Sequence, residues 1–153
     1  MNRFLWVLSV LAVIAGTSCQ SAPASFASAG VLDKELKLID VRVNNKSIGF
    51  SRDALAAEGF GEIFTLTIGS ERLTGVAAPN RYIAPYTLGS DRSITVSRMA
   101  GTLMASIREP EKLKESEFFS YIENAYKWNM VKKNLELLSK GQDGSDVVLV
   151  FSL

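Results

Sequence analysis

The sequence predicts a single α+β domain in which one main helix packs a curved, mainly antiparallel sheet, a partial barrel. Three observations carry this. Short apolar runs, β-branched or alternating, recur from Leu36 to the C-terminus, as half-buried strands do. Turn residues separate them, and the connections are mostly short, which suits antiparallel neighbours. A single late stretch, around Phe118 and Ile122, switches to helical spacing.

Leu36-Lys37-Leu38-Ile39-Asp40-Val41-Arg42-Val43 is partly alternating and reads as the first strand. Asn44-Asn45-Lys46 is a turn, because Asn tolerates positive φ, and Ile48 and Phe50 continue in an extended arm. Ser51 to Gly61 is compatible with a short helix or a long loop. Ile63 to Ile68 largely alternates and is a strand; Gly69-Ser70-Glu71 is a tight turn, and Arg72 leads into the strand Leu73 to Val76, as in a hairpin. Arg81 to Leu88 is extended but contains Pro85, which places it at a sheet edge or a bend. Gly89-Ser90-Asp91 is a turn and Ser93 to Ser97 a strand.

Pro110 reads as the first residue inside a helix, followed by Glu111, Lys112 and Glu115. Leu113, Phe118, Phe119, Ile122 and Tyr126 lie along one side of it. Tyr126, Trp128 and Met130 then alternate with polar neighbours, so the period changes to that of a strand. Lys132-Lys133 turns into Asn134-Leu135-Glu136-Leu137, and Gly141 to Gly144 turns into the closing run Asp146 to Leu153. The helix is the natural plug for one open side of the sheet.

Residues 1–18 read as a lipoprotein-type signal peptide. Arg3 precedes the uncharged run Phe4 to Ala15, which is shorter than the ~20 residues a membrane-spanning helix requires but suits a signal core. Cys19, the only cysteine, follows small residues in Gly16-Thr17-Ser18-Cys19-Gln20, a lipobox-like setting that makes it the lipidation site. Gln20 carries no inner-membrane retention signal, so the expected place is the outer membrane of a bacterial envelope, held by the N-terminal lipid. Cleavage after Ala27-Ser28-Ala29 is the rival reading and gives a periplasmic or secreted protein; an uncleaved anchor is the third. Residues 19–30, rich in Ser and Ala, read as a flexible tether, and residues 31–153 as the domain.

The chain has 17 basic and 16 acidic residues. That balance argues against nucleic acid as a partner, while leaving room for local patches. Histidine is absent, which removes the commonest general base and metal ligand near neutral pH. With Cys19 used as the anchor, Ser-His-Asp, Cys-His and His- or Cys-based zinc sites are closed. No catalytic residue, metal or cofactor is expected.

Gly75-x-x-Ala78-Pro79-Asn80, then Tyr86, then Thr102-Leu103-Met104-Ala105 together resemble the META domain, the family of HslJ-type lipoproteins. There the pattern is G-x-x-G-C-N-x-x-x-G-x-Y followed by T-x-M-A-C. The resemblance extends from Leu36 to Phe151 and implies the domain's fold and an envelope, stress-associated setting, with no catalytic residues to carry over. It also implies a fold like that of the pilot lipoproteins that help secretins reach the outer membrane. Pro79 and Ser106 stand where the pattern has cysteines, so no disulfide role carries over. Ala78 and Ala84 replace glycines.

Gly75, Asn80, Tyr86, Thr102 and Met104 are thus family-motif residues, read as structural. For Asn80 the alternatives are a ligand contact on an exposed loop and, preferred, a side chain bonding backbone groups nearby in its own turn. Thr102 and Met104 either line a pocket or, preferred, start or pack a core segment. Among Glu109, Glu111, Glu115 and Glu117, the first two are better explained by the helix N-terminus than by a metal or paired-carboxylate site, and Lys112 and Lys114 dilute the rest; Asp143 to Asp146 is better explained by a turn than by a calcium loop. Phe118, Phe119, Tyr126 and Trp128 are read as core, with an apolar groove between helix and sheet as the one functional alternative. The favoured function is a non-enzymatic envelope lipoprotein that binds or supports an envelope component, with a stress role. The alternative is a carrier or pilot whose groove holds a lipid or a peptide.

Overall fold

The computed structural model describes residues 25–105 and 108–153. Its elements are β1 (Glu35–Val43), β2 (Lys46–Ser47), α1 (Arg52–Ala57), β3 (Thr65–Ile68), β4 (Arg72–Val76), β5 (Arg81–Leu88), a 3-10 turn (Ser90–Arg92), β6 (Ile94–Val96), β7 (Ala100–Gly101), α2 (Glu115–Glu123), β8 (Lys127–Val131), β9 (Asn134–Lys140) and β10 (Asp146–Ser152). The strands form one sheet in the order β6-β5-β4-β3-β1-β10-β9-β8, with β2 paired to β1 and β7 to β5. Every pairing between these strands is antiparallel. The two ends of that order meet: Ser93 bridges Lys127, and the Ile94 N–H donates to the Tyr126 carbonyl at 3.0 Å. The sheet is therefore nearly closed into a barrel, which leaves little free edge. No described helix is long and apolar enough to cross a membrane.

The strands sit where alternation places them, and the exceptions have local causes. β1 buries Leu36 and Leu38, then Val41. The inward parity changes because the register against β10 shifts between Leu38 and Asp40, the mark of a β-bulge. The strand expected from Ile63 begins two residues later, at Thr65. Phe64 takes a left-handed φ of 55°, which breaks the extended run. Its ring is fully buried and lies 5.0 Å from Phe118 and 6.0 Å from Phe50. The Arg52 guanidinium braces this corner by donating to the carbonyls of Ile63 and Gly61. Burial lowers the Arg52 pKa.

Pro85 does not mark an edge. β5 is paired on both sides, to β4 and to β6 and β7. The Pro85 carbonyl accepts from the Ser97 N–H at 2.8 Å, so its missing donor faces the break between β6 and β7.

The helix starts later than Pro110 suggests. Pro110 and Leu113 are buried ahead of it, and α2 begins at Glu115, with the Lys114 N–H donating to the Glu117 carboxylate at 2.8 Å. Its buried face is Phe118 and Ile122. The helix is fastened across the barrel by the Ser139 hydroxyl donating to the Tyr121 carbonyl and by the Met99 N–H donating to Glu123. Tyr126 lies beyond the helix and is 43% exposed.

The start of the domain also needs correction. Residues 25–30 are not a free tether: Phe26 is 1% exposed, with its ring 4.6 Å from Trp128 and 5.5 Å from Tyr86. A large ring removed from water this way belongs to the core. Residues 1–24, which include the expected signal segment and Cys19, lie outside the described residues.

Candidate functional site

Four of the motif residues converge. Asn80 lies at the start of β5's turn, after a cis Ala78–Pro79 bond, and is 5% exposed. Its Nδ2 donates to Glu115 Oε2 at 2.8 Å and to the Met104 carbonyl at 3.1 Å. Its Oδ1 accepts from the Thr102 hydroxyl at 2.8 Å and from the Met104 N–H at 2.7 Å. Its own N–H donates to Glu115 Oε1 at 2.8 Å. Both donors and both lone-pair sites of the amide are thereby used. An exposed ligand contact is excluded, and so is a bond to the residue's own turn: every partner is at least 22 residues away. Asn80 ties the β4–β5 turn, the 102–104 segment and the first turn of α2 to one another.

Thr102 continues this clasp, because its hydroxyl also accepts from the Arg81 N–H at 3.2 Å while its own N–H donates to the Arg81 carbonyl at 3.1 Å. Met104 is not core. Its backbone is fixed by Asn80, but the residue is 54% exposed and Leu103 beside it fully so. The chain here bonds inward through main-chain groups and turns its apolar side chains out.

Gly75 is required by close approach. A Cβ there would overlap the Thr65 carbonyl oxygen and come within 2.8 Å of the Tyr82 hydroxyl. Tyr82 pairs with Gly75 across β4 and β5, and its buried hydroxyl donates to the Thr65 carbonyl at 2.8 Å. Burial pushes the Tyr82 pKa strongly upward. Tyr86, four residues on and on the same inward face, donates to the Gly69 carbonyl at 2.8 Å; burial, with Asp33 adding to it, raises its pKa. Tyr82 escaped the sequence reading, although the alternation Tyr82, Ala84, Tyr86 was the signal that could have found it.

Of the four aromatics read as core, two are fully so. Phe118 is fully buried against Phe64 and Tyr82, and Trp128 is buried against Phe26. Phe119 is half-buried, its ring 5.9 Å from Tyr82. Tyr126 is out on the surface. Phe118 and Trp128, with Phe119 in part, take up the space between helix and sheet as core, whereas Tyr126, read as core, is corrected to the surface. A cleft of about 300 Å³ does lie beside α2, between Ser116 and Tyr121 on one side and the β9–β10 turn on the other, with Glu117, Gln142 and Asp143 placing polar groups along its lining.

The acidic residues near α2 are dispersed in role. Glu115 serves Asn80, Glu117 caps the helix, and Glu111 pairs with Lys112. No three His, Cys, Asp or Glu side chains gather to hold a metal among the described residues. Asp143 accepts from the Ser145 N–H at 3.0 Å; hydrogen bonding to Ser145 lowers its pKa, as in an ordinary turn.

Two solved structures share the fold. A protein from Burkholderia xenovorans solved by NMR is 15% identical, covers 94% of this chain and 99% of its own, and superposes with a TM-score of 0.53. A DUF4847 family protein from Bacteroides vulgatus, solved by crystallography, is 13% identical, covers 80% of this chain and 93% of its own, and gives a TM-score of 0.55. At such identities the likeness is one of fold. Comparison with curated proteins gives no significant match. The META domain profile matches residues 48–151, a span that contains the Asn80 clasp, the Gly75–Tyr82 contact and the whole of α2, and this chain belongs to the META domain family.

Proposed function

We propose that this protein is a non-enzymatic lipoprotein of the bacterial envelope, anchored through Cys19, that works by binding or supporting another envelope component, including under stress. The observation that carries this reading is the use to which the motif's polar groups are put. Asn80 spends its whole hydrogen-bonding capacity on Glu115, Thr102 and Met104. Tyr82 and Tyr86 spend theirs on main-chain carbonyls. Residues committed in this way hold a scaffold together and offer a substrate nothing. The filled space between α2 and the sheet weighs against the carrier alternative.

Fatty-acid labelling of the native bacterium tests the reading. The wild-type protein takes up label, Cys19→Ala does not, and only the wild type restores envelope integrity to a deletion strain challenged with detergent. Absence of label on the wild type, or full complementation by Cys19→Ala, overturns it.

A further inference from the structure

We propose that the outer face of β4, β5 and β7 docks on an anionic lipid bilayer, the one in which the anchor sits; the choice of occupant rests on the lipid-anchored reading above. β5 turns Tyr82, Ala84 and Tyr86 inward, and Arg81, Ile83 and Pro85 outward. Outside the barrel this leaves two adjoining depressions that share Ile83 and Ala100. One, of about 400 Å³, is bordered by Arg72, Arg98 and Glu71 over a floor that includes Pro85. The other, of about 340 Å³, is bordered by Arg81, Gly101 and Thr102. Leu103, fully exposed, and Met104 follow directly along the chain.

The chemistry of this face is apolar ground ringed by cations. Arg72, Arg81 and Arg98 enter no ion pair among the described residues, and Glu71 is the one acid at the border. An arginine laid on such ground rests its methylenes on the apolar floor and extends its guanidinium outward, where the planar fork matches phosphate. Exposed Leu and Met beside it suit insertion at the headgroup boundary. A chain of balanced overall charge thus carries a local cationic, apolar patch.

The tether selects a bilayer over a soluble acidic partner. Only residues 20–24 separate Cys19 from Ser25, a reach of roughly 20 Å at full extension. The chain enters the fold at Phe26, 5.5 Å from Tyr86. The Tyr86 N–H donates to the Glu71 carbonyl, and Pro85 beside it floors the first depression. The anchor therefore joins the domain at the end of the barrel where this face begins, and holds the face close to the leaflet.

The test uses the mature, lipidated full chain reconstituted into vesicles of phosphatidylcholine alone or of equal parts phosphatidylcholine and phosphatidylglycerol. A nitrobenzoxadiazole label on Leu103→Cys should brighten and shift to the blue only with phosphatidylglycerol, and high salt should reverse it. The same label on Val131→Cys, on the β8–β9 hairpin, should not respond. The combined Arg72→Gln, Arg81→Gln and Arg98→Gln variant should lose the response while keeping the wild-type melting temperature. An equal signal in both vesicles, or one unaffected by the triple variant, overturns the proposal. Flotation of unlabelled protein with pure phosphatidylcholine reports the anchor separately. If the chain fails to float there, the anchoring reading is wrong, and charge-dependent flotation judges the face by itself. Each arginine near an anionic leaflet is worth about fivefold in partition, so with the lipid anchor removed by Cys19→Ala, adding the three arginine substitutions should weaken binding to phosphatidylglycerol vesicles about a hundredfold; equal binding with and without them overturns the proposal.

Discussion

Asn80 and Glu115, 35 residues apart in sequence, are joined by a two-pronged contact: the Asn80 backbone N–H and its Nδ2 each meet one carboxylate oxygen of Glu115 at 2.8 Å. The contact joins a turn of the sheet to the first residue of α2. A carboxylate at that end of a helix also faces the positive end of the helix dipole.

Asn80→Ala should destabilise the protein by about 2–4 kcal/mol, since it strands the buried partners of the amide. Asn80→Asp should do at least as much harm near neutral pH, because it replaces the donor facing Glu115 with a second carboxylate. Chemical denaturation measures both. A midpoint unchanged by Asn80→Ala would show that Glu115 and Met104 find other partners.

Phe118 and Phe119 are adjacent but unequal. Phe118→Ala should lose about 3–5 kcal/mol, from burial plus the cavity left behind. Phe119→Ala, from a half-buried site, should lose about 1–2 kcal/mol by the same reasoning. Equal losses in denaturant midpoint would contradict the packing described for α2.

The domain should require its residues from Ser25 onward. A truncated protein beginning at Val31 lacks the Phe26 ring between Tyr86 and Trp128, and should be about 3–5 kcal/mol less stable than one beginning at Ser25. Trp128 is the only tryptophan in either protein, so its emission should move to the red in the shorter one. Identical emission and identical urea midpoints would return residues 25–30 to the role of a tether.

Alkali should unfold the domain partly through Tyr82. Its pKa is raised in the fold, so above the unfolded value of about 10 the unfolded chain binds fewer protons, and stability falls as pH rises. The contribution is fully present below pH ~10 and is lost upward from there. Tyr82→Phe should cost about 1–2 kcal/mol at pH 7 through the lost bond to Thr65 and should flatten the alkaline limb of a stability–pH curve. An alkaline limb of unchanged slope would assign the effect to other groups.

What the sequence determined by itself was whatever depends on near neighbours. Alternation placed β1 and β8, and short apolar runs between turns placed β4, β9 and β10; Asn44-Asn45, Lys132 and Gly141 to Gly144 marked turns, because a turn needs only its own residues to accept positive φ or to bond locally. The spacing of Phe118 and Ile122 showed the buried side of α2, and the motif from Gly75 to Met104 pointed to the family. The tertiary structure decided what depends on distant partners. Pro110 is a sound helix start locally, yet α2 begins at Glu115, whose carboxylate is claimed by Asn80. Phe64 leaves the strand pattern because Arg52 and the rings of Phe50 and Phe118 hold its corner. Met104 has the composition of core but faces outward, since Asn80 fixes its backbone. Phe26 sits in a Ser/Ala-rich stretch with no periodicity, and only closure of the barrel around Tyr86 and Trp128 makes a place for its ring. Side chains obey local pattern until a long-range hydrogen bond or a ring contact outweighs it, and those contacts exist only once the sheet has curved round to bring the two ends of its strand order together.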